Sequence, residues 1–171
     1  MRVNPIKFRP SWDAIFTSIL VLLMVLLLWQ KLPDIMINFQ SQGKKISPVR
    51  INVLNSVEKS FLLPHQAQPV VLIFWATWCA PCELELNRIN SWIAKNPQFT
   101  NNIVAVSSFE TEDLIKKTST ERQYQFPIAS DISGELSKNF QVNGTPTILF
   151  IDAAGNVTWR TTGISPTLEI R

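Results

Sequence analysis

The 171-residue sequence predicts an α/β protein, with a mixed β-sheet flanked by helices and one transmembrane helix before it. Three observations lead to this prediction. An uncharged apolar run lies near the N-terminus, strand and helix patterns alternate in the middle of the chain, and two strand patterns joined by a Gly-Asn turn follow near the C-terminus. A parallel βαβ unit followed by an antiparallel hairpin indicates a single mixed sheet with helices on both faces.

The apolar run has no charged residue between positions 14 and 30, and a bilayer span needs about 17 to 25 residues. Arg2, Lys7 and Arg9 precede the run, whereas only Lys31 follows closely. The positive-inside tendency therefore predicts a cytoplasmic N-terminus and an extracytoplasmic C-terminal domain. A cleaved signal peptide is the alternative, but the run exceeds the usual signal core of about 7 to 15 residues and no small-x-small pair follows it.

These signals divide the chain into four segments. The polar stretch after the apolar run lacks sustained periodicity, which suits a tether that holds a domain off the membrane. We predict a cytoplasmic N-terminus at 1–11, a transmembrane anchor at 12–30, a linker at 31–48 and a folded domain at 49–171. The formal net charge of +3 comes from scattered residues, so it does not indicate a nucleic-acid partner.

The first half of the folded domain reads as strand, helix, strand. A hint of an edge strand, carried by Ile51, Val53 and Val57, comes first. The continuous apolar run Val70 to Trp75 then predicts a central strand buried on both faces. Pro81 to Lys95 predicts a helix, and its apolar residues at helical spacing are Leu86, Ile89 and Ile93. A second buried strand is predicted from Ile103 to Ser107.

The second half alternates helices with a hairpin. Residues 111–117 predict a helix with an acidic first turn, and residues 134–140 predict a short helix. Thr147 to Ile151 and Val157 to Thr161 predict two strands, and the turn material between them makes an antiparallel hairpin.

The two cysteines of the chain, Cys79 and Cys82, lie between the central strand and the helix that follows it. Unpaired N–H groups and the positive end of the helix dipole favour a thiolate at Cys79. Cys82, one turn into the helix, is placed to attack a mixed disulfide formed by Cys79. A disulfide across two residues closes too small a loop to stabilise a fold of this size, so the pair is predicted to be reactive.

A zinc site, a peroxidatic cysteine and an inert buried pair are the alternatives for these two cysteines. A zinc site needs further ligands, but His65 is the single histidine and there is no third cysteine, so we predict neither a metal nor a cofactor. A peroxidatic cysteine is not indicated, because this sequence lacks the Pro and Thr residues that peroxidases of this fold carry before their cysteine. An inert buried pair stays open as an alternative.

Three motifs carry a resemblance to a known family. They are Phe74-Trp-Ala-Thr-Trp-Cys-Ala-Pro-Cys82, Val142-Asn-Gly-Thr-Pro-Thr147 and Ile151-Asp-Ala-Ala-Gly155. Together they resemble the thioredoxin superfamily and, within it, the membrane-anchored TlpA/ResA-type thiol-disulfide oxidoreductases of bacteria. The resemblance covers roughly residues 50 to 165. It implies a thioredoxin-like fold on the periplasmic or outer face of the bacterial inner membrane, with a redox-active Cys79–Cys82 disulfide.

The resemblance also implies residues around the cysteine pair. Pro146 is expected to be a cis-proline that faces the cysteines, and Thr145 is expected to offer backbone groups to an extended substrate segment. Trp78, beside Cys79, is assigned to the same substrate-binding surface.

Glu85 lies three residues beyond Cys82, one helical turn along, so its carboxylate can approach that sulfur. The resemblance implies that Glu85 accepts a proton from Cys82, and a solvated glutamate on the helix face is the alternative. Glu83 and Arg122 are expected to be surface residues.

Two departures from the family pattern stand out. Ile73 occupies the strand position where thioredoxin has a buried acidic residue, so proton handling is expected to differ. Ser165-Pro166 looks like the start of a helix, but only five residues follow where the family usually adds a full helix.

These expectations combine into a membrane-anchored, periplasm-facing enzyme that reduces protein disulfides through Cys79 and Cys82, with Glu85 assisting. Its expected partners are protein thiols and disulfides, membrane lipid around the N-terminal helix and a membrane electron donor. A tethered module that binds extended polypeptide at Thr145 and Pro146 without turnover is the alternative function.

Overall fold

The computed structural model describes residues 12–56, 60–64 and 68–165. The chain divides into two compact units, with the boundary after Met36. Several predicted features lie outside the described residues: the cytoplasmic segment 1–11, Val57, His65 and the residues from Pro166 onward. The helix predicted to start at Ser165-Pro166 lies outside them except for Ser165.

The first unit is dominated by the N-terminal part of helix α1, Trp12–Ser41. Its stretch Trp12–Gln30 is long and apolar enough to cross a membrane, as an anchor or as a signal sequence. The helix continues to Ser41, so the first eleven residues of the predicted linker are helical.

The second unit contains one seven-stranded mixed sheet. Its strands are β1 (Val49–Val53), β2 (Ser60–Leu63), β3 (Val70–Trp75), β4 (Ile103–Ser108), β5 (Ile128–Asp131), β6 (Thr147–Ile151) and β7 (Val157–Thr162). Its helices are α2 (Ala80–Lys95), α3 (Glu112–Glu121) and α4 (Glu135–Asn139), with a 3₁₀-helix at Pro97–Asn102. The strand order is β2-β1-β5-β4-β3-β6-β7, in which β5, β4 and β3 run parallel to one another.

Strand β3 lies inside the sheet and is buried along its whole length, as its apolar run predicts. Alternate side chains enter opposite cores: Val71, Ile73 and Trp75 join one cluster, and Val70, Leu72 and Phe74 join the other. Helix α2 adds Leu86, Ile89 and Ile93 to the first cluster, while α4 adds Leu136 to the second. Helices therefore cover both faces, and the predicted fold class is confirmed.

The start of the sheet differs from the expectation. Strand β1 is not an edge strand, because it pairs with β2 on one side and with β5 on the other. β2 and β5 are four residues each, too short to show a period of their own in the sequence.

The folded unit also begins before the predicted boundary at residue 49. The N–H of Gly43 donates to Val157 at 2.8 Å, and the N–H of Ile46 donates to Gly155 at 2.9 Å. The last residues of the predicted linker are thus bonded to the β6–β7 hairpin, whose turn is closed by N–H groups that donate to the carboxylate of Asp152.

Candidate active site

Cys79 and Cys82 form a disulfide at the N-terminus of α2, with their Cα atoms 5.2 Å apart. Cys79 is the N-cap residue in extended conformation, and Pro81 lies in the first helical turn, where its missing N–H costs nothing. The N–H of Cys82 donates to the Cys79 sulfur at 3.2 Å. An N–H of the first helical turn thus donates to the sulfur that the sequence predicts to be the nucleophile.

The two cysteines differ in exposure. Cys79 is 4% exposed and Cys82 is 0% exposed. Both are buried in this oxidised state, but only Cys79 has surface that another molecule can reach. An attacking sulfur would therefore approach Cys79 first.

Thr145 and Pro146 lie at the same end of the sheet as the cysteines, where β3 ends and β6 begins. Strands β3 and β6 are antiparallel, with Phe74 opposite Thr147, so the chain leaves β3 where it enters β6. The Thr145–Pro146 peptide bond is cis, as the resemblance implies. Pro146 is buried, whereas Thr145 is half-buried.

Trp78 is 78% exposed although it immediately precedes the buried Cys79. A large apolar side chain in this position adds contact surface next to the disulfide. Trp75, by contrast, is buried and packs edge-on against Tyr124.

Glu85 is buried in α2, which contradicts its alternative interpretation as a solvated residue. One carboxylate oxygen accepts a hydrogen bond from Arg88 at 3.0 Å, and the other accepts no hydrogen bond from the residues that the structure describes. Burial raises the pKa of Glu85 above 4.5, and the charge and hydrogen bond of Arg88 oppose that rise. Arg88 also donates to the backbone oxygen of Ser165 at 2.7 Å, so the segment after β7 is attached to α2.

Sequence reasoning missed the residues that hold Thr77, in the loop between β3 and α2. The N–H of Thr77 donates to Glu110 at 3.0 Å, and its hydroxyl donates to the other oxygen of that carboxylate at 2.5 Å. Ser107 also donates to Glu110. Arg122 donates to the backbone oxygen of Thr77 at 3.1 Å and pairs with Glu83 at 2.8 Å.

The expectation that Arg122 is a solvated surface residue is therefore wrong, because its side chain is 22% exposed and bonded on two sides. Glu110 and Arg122 lie 33 and 45 positions from Thr77. No local pattern marks them, since only the parallel order of β3, β4 and β5 brings them to this loop.

No group of three or more His, Cys, Asp or Glu side chains is placed to hold a metal ion in residues 12–56, 60–64 and 68–165. The chemistry that the site offers lies in its two sulfurs and the carboxylates near them.

A thioredoxin-like sheet with a Cys-x-x-Cys disulfide at the N-terminus of the helix after its central strand defines a thioredoxin-fold redox protein. The chain belongs to the AhpC/TSA family, whose sequence model matches residues 30–160.

Curated relatives narrow the class. Thiol-disulfide oxidoreductase ResA of Bacillus thuringiensis subsp. konkukian is 34% identical over 100 residues, which are 58% of this chain and 58% of that protein. Sporulation thiol-disulfide oxidoreductase A of Bacillus subtilis is 25% identical over 122 residues, 69% of this chain and 74% of that protein. The match thus spans less than two thirds of the ResA relative's length.

Solved structures agree on the fold. StoA from Bacillus subtilis matches with a TM-score of 0.62 and 22% identity over 70% of this chain and 90% of that one. A putative thiol:disulfide interchange protein DsbE from Chlorobium tepidum matches with a TM-score of 0.63 and 28% identity, covering 73% of this chain and 87% of that one. The resemblance drawn from the sequence motifs is confirmed: this chain is a homologue of ResA- and StoA-type thiol-disulfide oxidoreductases.

Proposed function

We propose that this protein is a membrane-anchored thiol-disulfide oxidoreductase that reduces disulfides in protein substrates. The observation that carries the proposal is the Cys79–Cys82 disulfide at the start of α2, where an amide N–H donates to the Cys79 sulfur. The names of its relatives support the same reaction class.

The reaction proceeds by two exchanges. In the reduced protein the Cys79 thiolate attacks a substrate disulfide, which forms a mixed disulfide and releases one substrate thiolate. The Cys82 thiolate then attacks the Cys79 sulfur, which forms the intramolecular disulfide and releases the second substrate thiolate. Two electrons pass to the substrate, and a thiol donor at the membrane returns two electrons to the protein.

Glu85 takes the proton of Cys82 in this proposal. Its position one turn after Cys82 and its raised pKa support the role, because a carboxylate titrating closer to neutral pH is a better proton acceptor for a thiol. The charge and hydrogen bond of Arg88 oppose that rise and favour the ionised form that accepts a proton.

Thr145, Pro146 and Trp78 form the proposed substrate-binding surface. Thr145 and Pro146 lie at the sheet edge where the loop to Cys79 begins, and Trp78 presents an exposed ring beside that cysteine. An extended substrate segment would bond to the backbone at Thr145 while its cysteine meets Cys79.

The proposed location is the bacterial inner membrane, with α1 crossing once and the sheet on the periplasmic or outer side. The apolar helix and the cationic residues at Arg2, Lys7 and Arg9 support this orientation. The predicted segments 1–11, 12–30, 31–48 and 49–171 stand as the proposed organisation, except that the tether is helical up to Ser41 and is bonded to the folded domain from Gly43 onward. Such a location needs a membrane electron donor.

The second candidate is a tethered module that binds polypeptide without turnover. It is favoured by the exposure of Trp78 and by the burial of both sulfurs. Insulin reduction separates the two: the full chain in detergent should reduce insulin disulfides in the presence of a thiol donor, and Cys79→Ser should not. Equal rates for the two proteins would favour the binding module.

The mechanism itself is tested by trapping. Cys82→Ala should accumulate a mixed disulfide between Cys79 and insulin, because the resolving sulfur is missing. The matched control, Cys79→Ser with Cys82→Ala, should trap nothing. The direction of electron flow has a separate test: a reduction potential above about −150 mV would indicate an oxidant rather than a reductant.

A further inference from the structure

The loop between β3 and α2 is held on both sides of the nucleophile. Before Cys79, the N–H and hydroxyl of Thr77 are bound by Glu110, and its carbonyl is bound by Arg122. After Cys79, Arg122 pairs with Glu83 in the first turn of α2. One arginine therefore connects the loop to the helix, with Cys79 between its two contacts.

The carboxylate of Glu110 is buried and is held by hydrogen bonds. It is 9% exposed, yet no cation among the described residues pairs with it. Its three hydrogen bonds come from Thr77 and from Ser107 on β4. Burying a carboxylate is costly unless donors compensate it, so Thr77 and Glu110 depend on each other's position.

We propose that Glu110 and Arg122 are positioning residues for the dithiol: by binding Thr77 they keep the Cys79 sulfur where the N–H of Cys82 stabilises its thiolate. The inference deepens the proposed function and rests on it. Neither side chain is proposed to touch the substrate.

The proposal is testable because it predicts the direction in which the pKa of Cys79 shifts when Glu110 is replaced. Removing the negative charge of Glu110 would by itself make a nearby thiolate more stable and lower the pKa of Cys79. Releasing Thr77 would instead loosen the N–H contact to the sulfur and raise that pKa. The titratable and charged side chains on the elements around this loop are, on α2, Glu83, Glu85, Arg88 and Lys95, and, after β4, Glu110. On α3 they are Glu112, Asp113, Lys116, Lys117 and Glu121, and after α3 they are Arg122 and Tyr124.

The experiment follows alkylation of Cys79 by iodoacetamide against pH, in the full chain in detergent with Cys82→Ala present throughout. Glu110→Ala should raise the midpoint by about one pH unit, a tenfold smaller thiolate fraction at pH values well below both midpoints. Glu110→Gln should restore the midpoint to the parent value or below, because its amide oxygen still accepts the Thr77 N–H while the charge is gone. Glu112→Ala, at an exposed glutamate on α3, is the matched control and should leave the midpoint unchanged.

A midpoint that falls or stays constant in Glu110→Ala would overturn the inference, since charge alone would then explain the site. Thr77→Val decides the matter if Glu110→Ala does not fold, as judged by near-UV circular dichroism. It removes the hydroxyl bond while Glu110 keeps its charge, and it should lower the thiolate fraction about threefold; an unchanged midpoint overturns the inference.

Failure of the proposed function has a different signature. It would show as a parent protein whose Cys79 titrates near the ordinary value of about 8.5. Failure of the inference alone would show as a parent with an acidic Cys79 that keeps its midpoint when Thr77 is released.

Discussion

Arg88→Ala should destabilise the folded domain most strongly at neutral pH, because Glu85 would lose the cation with which it pairs. Glu85 is 0% exposed, whereas the Arg88 side chain is 47% exposed. A buried carboxylate without its partner is costly, so we expect the pKa of Glu85 to rise further in the variant.

The magnitude follows from the two bonds that Arg88 makes, at 3.0 Å to Glu85 and at 2.7 Å to the backbone oxygen of Ser165. A hydrogen bond to a charged group contributes about 1.5 to 3 kcal/mol. The exposure of Arg88 screens the pair and lets water replace the lost donor, which reduces the expected loss to about 1 to 2 kcal/mol. In a chain of this size that corresponds to a fall in Tm of roughly 2 to 8 °C.

The pH dependence has a definite sign. The folded-state pKa of Glu85 is raised, so its favourable contribution is present below 4.5 and is lost as the pH rises through the folded-state value. Arg88→Ala moves that value upward. The difference in Tm between parent and variant should therefore be smallest at acidic pH, where only the bond to Ser165 is lost, and should grow toward neutral pH.

Thermal unfolding of the full chain in detergent, followed by near-UV circular dichroism, measures these differences. Adding Glu85→Gln to Arg88→Ala should recover most of the loss at neutral pH, because no charge is then left buried. Lys116→Ala is the matched control, since its pair with Glu112 is about half exposed on both sides and should contribute less than about 0.5 kcal/mol. Equal losses with and without Glu85→Gln would refute this account of the pair.

Two further changes test local contacts of the folded domain, one after β5 and one in the turn between β6 and β7. Gly134→Ala should cost about 1 kcal/mol from its φ of 69°, and it should also displace the Phe109 ring, since an added Cβ would lie 2.0 Å from a ring carbon. The control is Gly43→Ala, which has a φ of 77° but open space around the added Cβ and should show the backbone cost alone. An unmoved Phe109 ring in a crystal structure of Gly134→Ala would contradict the prediction. Asp152→Ala should lower the Tm at neutral pH and lose this effect below pH 3.8, because hydrogen bonds from Asn156 lower the pKa of that carboxyl; a pH-independent difference in Tm would count against it.

Much of the fold could be predicted because its central elements carry strong periodic signals. Val70–Trp75 was predicted with the bounds that the structure has, since a strand buried on both faces is apolar at every position. The β6–β7 hairpin was equally readable from its turn. β2 and β5 were not, because four residues do not establish a period and their burial depends on neighbours distant in sequence.

Some residues of the site could likewise be predicted from the sequence, and others could not. The two cysteines, their place before a helix and the Thr145-Pro146 motif are contiguous features, so the sequence by itself determined the redox class and the end of the sheet where exchange is proposed. The burial of Glu85 could not be read from its helical spacing, which fits a solvated face equally well.

Only the tertiary structure decided which distant side chains meet the loop before Cys79. Glu110 and Arg122 reach Thr77 because parallel strands end at one edge of the sheet and their loops converge there. Local sequence records the preferences of a backbone segment over a few residues. A contact across 33 or 45 positions depends on strand order, which no segment specifies alone.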